Sequence, residues 1–215
     1  MTEYRMEELA CPKCGHKHTL RKYARINVTE KHHLKEDILK NRLFAFACES
    51  CQFSAPLTYE SLYLDSKKKL AIYLAPAMLP ETEEELKRLN QEIEGTKRLV
   101  DNINDLKEKI LIADMQFDDR VIELIKIMYI GQIKEEMKDD NMMDILFDYY
   151  GAKPCFLVFF EKKGIGRMPL NLEYYRGIAS QYSRQIREHS SDSFMKVDME
   201  WAGQILFKQP KTSPS

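Results

Sequence analysis

Two pairs of closely spaced cysteines constrain this chain more than any other feature of its sequence. Cys11 and Cys14 form the first C-x-x-C pair, and Cys48 and Cys51 form the second. Each pair predicts one tight turn, called a knuckle below, whose two sulfur atoms can reach a single metal ion. Two knuckles brought together supply four thiolates at tetrahedral corners, which is what a closed structural Zn²⁺ site requires. The sequence therefore predicts one structural zinc site with these four ligands.

A redox dithiol is the alternative interpretation of a C-x-x-C pair. A thioredoxin-type pair follows a buried strand and precedes a helix. The segment before Cys11, residues 6–10, contains two glutamates and is too polar for such a strand. The remaining cysteine, Cys155, lies in an apolar run and is expected to be a small buried side chain. A metal site is therefore the favoured interpretation of the four paired cysteines.

Length, charge and hydropathy bound the class of protein. The chain has 215 residues and a net charge of -1, which argues against a surface that attracts nucleic acid as a whole. Acidic residues at positions 3, 7 and 8 occupy the place where a secretion signal needs an apolar segment. The longest apolar run, 121–133, is interrupted by charge and shorter than the roughly 20 residues that span a bilayer. We expect a cytoplasmic protein with no membrane partner.

The hydrophobic pattern predicts an α+β fold in two domains. Residues 1–80 are predicted to form an antiparallel zinc-ribbon-like module, in which Thr29 caps a short helix. Its expected strands lie at 19–28, 43–47, 52–64 and 70–74.

Residues 81–210 are predicted to form a mostly helical domain with a small strand pair. Its strand signal is the continuous apolar run at 155–160, followed by a turn at 164–166. Its expected helices lie at 81–95, 103–115, 118–137 and 172–187. Residues 211–215 are predicted to be a disordered tail.

The two knuckles and their flanks resemble the CpXC domain proteins of bacteria and archaea. The likeness rests on C-P-K-C-G-H-K-H at 11–18, L-F-A-F-A-C-E-S-C at 43–51 and L-Y-L-D-S-K-K-K-L-A-I-Y-L-A-P at 62–76. It continues more loosely into 106–110 and 118–126. The resemblance implies a fold class and a metal bound by the four paired cysteines, but no activity.

The second knuckle departs from the pattern of that family. Glu49 stands where proline is common, and Gln52 stands where glycine is common. We therefore expect Gln52 to adopt a positive φ, at a cost of about 1 kcal/mol.

Cations interleaved with an aromatic residue suggest a second function. Arg21, Tyr23 and Arg25 share one face of the strand predicted at 19–28, near lysines 13, 17 and 22. Nucleic-acid-binding ribbons use such residues for phosphate contacts and base stacking. An ordinary solvated strand face explains the same pattern and is the favoured interpretation.

Catalysis has little support in the sequence. Four histidines could act as bases or metal ligands, but solvated positions explain them better: His16, His18, His32 and His33. No Walker A, H-E-x-x-H or G-x-S-x-G motif is present, and no catalytic residue is predicted. The leading hypothesis is a zinc-stabilised binding or adaptor module for a protein partner. The alternative is a nucleic-acid-binding zinc ribbon that uses Arg21, Arg25 and the nearby lysines.

Overall fold

The chain contains both helices and strands, in runs of each, which confirms the predicted α+β class. The computed structural model describes residues 1–151 and 153–207, so the predicted tail at 211–215 lies outside the described residues. The strands are β1 Glu3–Ala10, β2 Lys17–Asn27, β3 Ala45–Ala47, β4 Ser54–Pro56, β5 Ser61–Asp65, β6 Leu70–Leu74, β7 Thr96–Val100, β8 Met142–Tyr150, β9 Lys153–Phe160 and β10 Gly164–Pro169. The helices are α1 His33–Leu39, α2 Pro80–Glu92, α3 Ile103–Asp114, α4 Asp119–Glu136, α5 Leu172–Gln181, α6 Ser183–Glu188 and α7 Met199–Phe207.

The chain divides into two compact units. The first contains residues 1–107 together with 192–195, and the second contains the described residues of 108–191 and 196–207. The first unit therefore includes α2 and β7, which follow residue 80. The predicted domains, 1–80 and 81–210, stay a prediction.

The main sheet of the first unit is mixed, whereas the sequence predicted an antiparallel module. Its strand order is β1-β2-β5-β6-β7. The β1–β2 and β5–β6 pairs are antiparallel, but β2–β5 and β6–β7 are parallel. Parallel neighbours need a crossover connection. Helix α1 and the β3–β4 hairpin supply one between β2 and β5, and α2 supplies the other.

One part of the buried core of the first unit lies between α2 and the central strands. Leu86 and Leu89 of α2 pack with buried residues of β5 and β6. Gly95 follows the helix with a φ of +98°, and a side chain there would meet the Lys69 carbonyl. The predicted cap of α1 is wrong, because the Thr29 hydroxyl accepts a hydrogen bond from the Ser66 N–H instead.

The second unit contains a three-stranded antiparallel sheet, in the order β10-β9-β8. The predicted strand pair and the predicted turn at 164–166 are therefore wrong, because the turn ends at residue 163 and Gly164 begins β10. The helix predicted at 172–187 is two helices, α5 and α6, which meet at Tyr182. The helix predicted at 118–137 is α4, which begins after the N-cap Asp118. Most of its apolar residues are buried, and three are half-buried: Ile127, Met128 and Ile130.

Helices α3 and α4 also bury a network of five charged side chains in the second unit. The Lys126 ammonium lies 2.8 Å from Glu108 and 3.2 Å from Glu123. The Lys109 ammonium lies 2.8 Å from Glu123 and 3.4 Å from Asp119. All five residues are buried, and the most exposed of them, Asp119, is 8% exposed.

Burial and neighbouring charges shift the pKa values of this network. Burial raises the pKa of the Glu108 carboxyl, against the effect of the nearby Lys126. Although burial lowers the pKa of an ammonium, the carboxylates of Glu123 and Asp119 raise that of Lys109. Both lysines therefore stay charged, since neighbouring carboxylates raise the pKa of Lys126 as well.

Candidate metal centre

Each knuckle is the loop of a β-hairpin. Strands β1 and β2 pair antiparallel up to Ala10 and Lys17, and the loop between them contains Cys11 and Cys14. Strands β3 and β4 pair up to Ala47 and Ser54, and their loop contains the second cysteine pair. Both hairpins therefore enclose six loop residues, and both place their cysteines at the same two loop positions.

The two loops share the same backbone hydrogen bonds. In the first, the Cys11 N–H donates to the His16 carbonyl at 2.8 Å, and the Gly15 N–H donates to the Cys11 carbonyl at 2.8 Å. In the second, Cys48 N–H donates to the Phe53 carbonyl at 2.8 Å, and Gln52 N–H donates to the Cys48 carbonyl at 2.9 Å.

The residue after the second cysteine has a positive φ in both loops. This angle is 74° at Gly15 and 58° at Gln52, which confirms the conformation predicted for Gln52. A glutamine in this region carries a steric cost that glycine avoids. The second knuckle therefore adopts the geometry of the first despite a less suitable residue.

The four sulfur atoms converge on one point. All lie within 4.8 Å of one another, and the Cys11–Cys51 and Cys14–Cys48 sulfur pairs are each 3.6 Å apart. A disulfide needs a sulfur–sulfur distance of about 2.05 Å. Tetrahedral zinc with bonds of about 2.3 Å places its sulfurs about 3.8 Å apart. The cluster therefore fits a tetrahedral metal ion and does not contain a disulfide.

Apolar side chains enclose one side of the cluster. Cys11 and Cys48 are buried, Cys51 is half-buried and Cys14 is exposed. Phe46 is buried with them, and other apolar residues of both hairpins pack around this group: Leu9, Leu20, Phe53 and Leu57. A metal ion held here would have protein on one side and solvent near Cys14.

Two thiols of the cluster, those of Cys11 and Cys51, have shifted pKa values. Burial opposes ionisation of Cys11, but the backbone N–H groups of Cys14 and Lys13 and the adjacent thiols lower its pKa to about 7. The Phe53 N–H favours ionisation of Cys51, but burial and the neighbouring cysteines raise the pKa of its thiol to about 12. The negative charge of one thiolate therefore disfavours ionisation of the neighbouring thiol, and a bound divalent cation would offset this repulsion.

His18 belongs to the surroundings of the cluster, although the sequence placed it in solvent. Its Nε2 lies 3.2 Å from the Cys48 sulfur, within hydrogen-bond distance. The imidazole packs edge-on against Phe46, with ring centroids 5.5 Å apart. The expected exposure is found for His16, His32 and His33. One sequence feature could have indicated that His18 lies near the cluster. It precedes Leu20 by two residues on β2, so both side chains lie on the same face of the strand.

The predicted cationic face of β2 is largely paired with carboxylates of β1. Each of three cations lies within 4.0 Å of a glutamate: Lys17 at 2.8 Å from Glu8, Lys22 at 2.7 Å from Glu7, and Arg25 at 3.9 Å from Glu3. Arg21 lies over the Tyr4 ring at 4.5 Å and donates to the Tyr23 hydroxyl at 3.3 Å. Tyr23 is only 7% exposed. It therefore has no free ring face for stacking on a base.

Two further observations concern residues outside the cluster. Cys155 is buried in β9, as predicted, and burial raises the pKa of its thiol. In the part of the chain described here, no helix combines the length and hydropathy that crossing a bilayer requires.

Comparison with known proteins identifies the family. No curated protein and no solved structure shows a significant match to the chain. The family model described as CpXC protein matches residues 9–126, which is more than half of the 215 residues and includes both knuckles. With its four paired cysteines brought together as that resemblance implied, the chain belongs to the CpXC protein family.

Proposed function

We propose that the four-cysteine cluster binds one Zn²⁺ ion, and that this ion has a structural role. The observation that carries the proposal is the pair of 3.6 Å sulfur–sulfur distances, which match the edge of a zinc tetrahedron. A catalytic zinc site keeps one position open for water or substrate. Four cysteine ligands fill the tetrahedron and leave no such position. The ion would link the β1–β2 hairpin to the β3–β4 hairpin, as in a zinc-ribbon-like module.

The metal-stabilised hairpins are proposed to serve as a binding or adaptor module for a protein partner. Residues of β1 support this role, because Tyr4 is 48% exposed and Met6 is 56% exposed. Exposed tyrosine and methionine are enriched at protein interfaces. Arg21, which pairs with Met6 across the two strands, completes a mixed apolar and cationic surface.

Metal analysis of the purified chain tests the zinc assignment. We expect one zinc per chain after purification without added metal, and release of that zinc when the thiols are modified. The matched control is Cys155→Ala, which retains the four cluster cysteines and should keep full zinc content. Protein that contains no zinc, or that shows the visible absorption of an iron–thiolate centre, contradicts the proposal.

Nucleic-acid binding is the second candidate function, and the ion pairs on β2 weigh against it. Carboxylates of β1 already neutralise Lys17 and Arg25, which leaves fewer cations for a phosphate backbone. We expect no binding of single-stranded DNA or RNA at micromolar protein and physiological salt, measured by fluorescence anisotropy. Salt-sensitive binding that Arg21→Ala and Arg25→Ala together abolish would reverse this order of candidates.

A further inference from the structure

Strand β1 offers one backbone edge to a further strand. It runs from Glu3 to Ala10, stands first in the five-stranded sheet, and contains neither proline nor glycine. Among the strands of the described residues, only β2 pairs with it. Proteins usually protect such an edge with a bulge, a proline, lysines or a covering segment. Here the one irregularity lies at the start of the strand, between Glu3 and Tyr4.

The charges along β1 are self-complementary about Met6. Arg5 precedes Met6 and Glu7 follows it, and both side chains point to the face opposite that of Met6. Within the sheet, Arg5 stands directly opposite Lys22, and these two cations share one carboxylate, because Glu7 of the same strand lies 3.4 Å from Arg5 and 2.7 Å from Lys22. A second β1 strand laid antiparallel with Met6 at the centre places a glutamate on the other side of Arg5. The same register repeats this Arg5–Glu7 pair by symmetry.

The pleat of the strand restricts which registers a symmetric pair can use. Opposite residues of an antiparallel pair point to the same face of the sheet. In a symmetric pair, the two-fold axis must therefore lie between two copies of the same residue that stand opposite each other. Centring on Arg5 or on Glu7 would bring two identical charges together. Centring on Tyr4 pairs only residues 3–5 of the strand, whereas centring on Met6 pairs residues 3–9.

We propose that two copies of this chain associate through their β1 strands, antiparallel and centred on Met6, to form one continuous sheet. The pairing satisfies the outer backbone groups of β1 and buries the exposed Met6 side chain against its symmetry mate. It also gives Arg5 of each copy a glutamate partner in the other copy. A single strand pair buries less area than standard interfaces, so the dimer is reversible and depends on concentration.

Sedimentation equilibrium of the full chain tests the proposal directly. The mass of the wild-type protein should rise with concentration from 25.3 kDa toward twice that value. Arg5→Glu and Glu7→Arg should each remain at the mass of one chain, because each variant sets like charges opposite each other. An equimolar mixture of these two variants should recover the doubled mass, because its charges are complementary again.

A matched control comes from an exposed ion pair outside β1. Arg184 contacts Glu188 on α6, so Arg184→Glu makes the same charge change and should leave the dimer intact. Three results would each overturn the proposal: a wild-type chain that is monomeric at all concentrations, a dimer insensitive to Arg5→Glu, or a mixture that stays monomeric. The first result would leave the edge to a strand from a different protein.

Glu7 also pairs with Lys22, so Glu7→Arg could fail to fold, and its thermal unfolding is compared with wild type. A cysteine cross-link then decides the register independently. Met6→Cys should form an intermolecular disulfide under mild oxidation, because opposite Cα atoms about 4.5–5.5 Å apart suit a disulfide. Tyr4→Cys should not, because its opposite residue is Glu8. Equal cross-linking of both variants, or none from Met6→Cys, contradicts the proposed pairing.

Discussion

Two buried cysteines provide a direct measure of what the proposed zinc contributes to folding. Cys48 is 3% exposed and Cys155 is 5% exposed, and the alanine variant of each loses one buried sulfur. Only Cys48 is a member of the four-sulfur cluster. The packing cost is common to both variants. Subtracting the loss of unfolding free energy in Cys155→Ala from that in Cys48→Ala therefore leaves the contribution of the metal.

The expected difference follows from the energy of structural zinc. Zinc-finger peptides bind the ion with roughly 10–16 kcal/mol at neutral pH, so one ligand of four accounts for roughly 2.5–4 kcal/mol. Removing a buried sulfur without a metal costs on the order of 1 kcal/mol. We expect Cys48→Ala to lower the free energy of unfolding by roughly 3 kcal/mol more than Cys155→Ala does.

Urea unfolding of both variants, with and without a strong chelator, measures this difference. In the presence of chelator the wild-type protein should lose stability, Cys48→Ala should lose much less, and the gap between the two variants should close. Equal destabilisation by the two substitutions in the absence of chelator would refute a structural role for the metal. A gap that persists in chelator would assign the effect to packing around Phe46 instead.

Three further predictions concern single residues. His18→Ala should release zinc to a chelator roughly ten-fold faster than wild type, because outer partners of metal ligands affect affinity by about that factor, whereas exposed His16→Ala should not. Gln52→Gly should raise the free energy of unfolding by about 1 kcal/mol because it relieves the positive φ, and Gly15→Ala should lower it, both measured in urea. Glu108→Gln should gain stability relative to wild type as pH rises. Burial raises the folded-state pKa of Glu108, so the wild-type stabilisation is complete below the unfolded pKa and is lost as pH rises through the folded value; urea unfolding from pH 5 to 8 measures this loss.

The four-cysteine cluster was predictable because local spacing places the two cysteines of each pair on one tight turn. The two turns need only meet for the four sulfurs to converge. The contact between His18 and Cys48 was not predictable in the same way, because it depends on how one hairpin packs against the other. The alternation along β2 predicts on which face of the strand His18 lies, but it does not predict which residue packs against that face.

Strands exposed on both faces leave little trace in a sequence. Strand β1 has exposed residues at both parities, so its hydrophobic residues do not alternate, and the sequence analysis assigned no strand there. Its partner β2 was predicted because apolar and polar residues alternate along it, and Ile26 near its end is buried. The β6–β7 pairing was equally hidden, since no local signal tells a parallel neighbour from an antiparallel one. Helix α4 was predicted well because its length and continuous apolar character leave few alternatives.

The charged network of α3 and α4 contains residues of α4 whose burial is not evident from the sequence. Glu123 and Lys126 interrupt the apolar run of α4, and a helix in isolation would turn them toward solvent. Instead they are 2% and 4% exposed and meet charged residues of α3. Buried ion pairs of this kind seldom stabilise a fold more than apolar residues of equal size, because each ion loses its hydration. We infer that their benefit is specificity, because moving α4 by one turn along α3 would separate Lys126 from Glu108 and Glu123 from Lys109, and the charges buried on α3 would lose these partners. The network therefore makes one alignment of the two helices far more favourable than its neighbours, which a smooth apolar seam would not do.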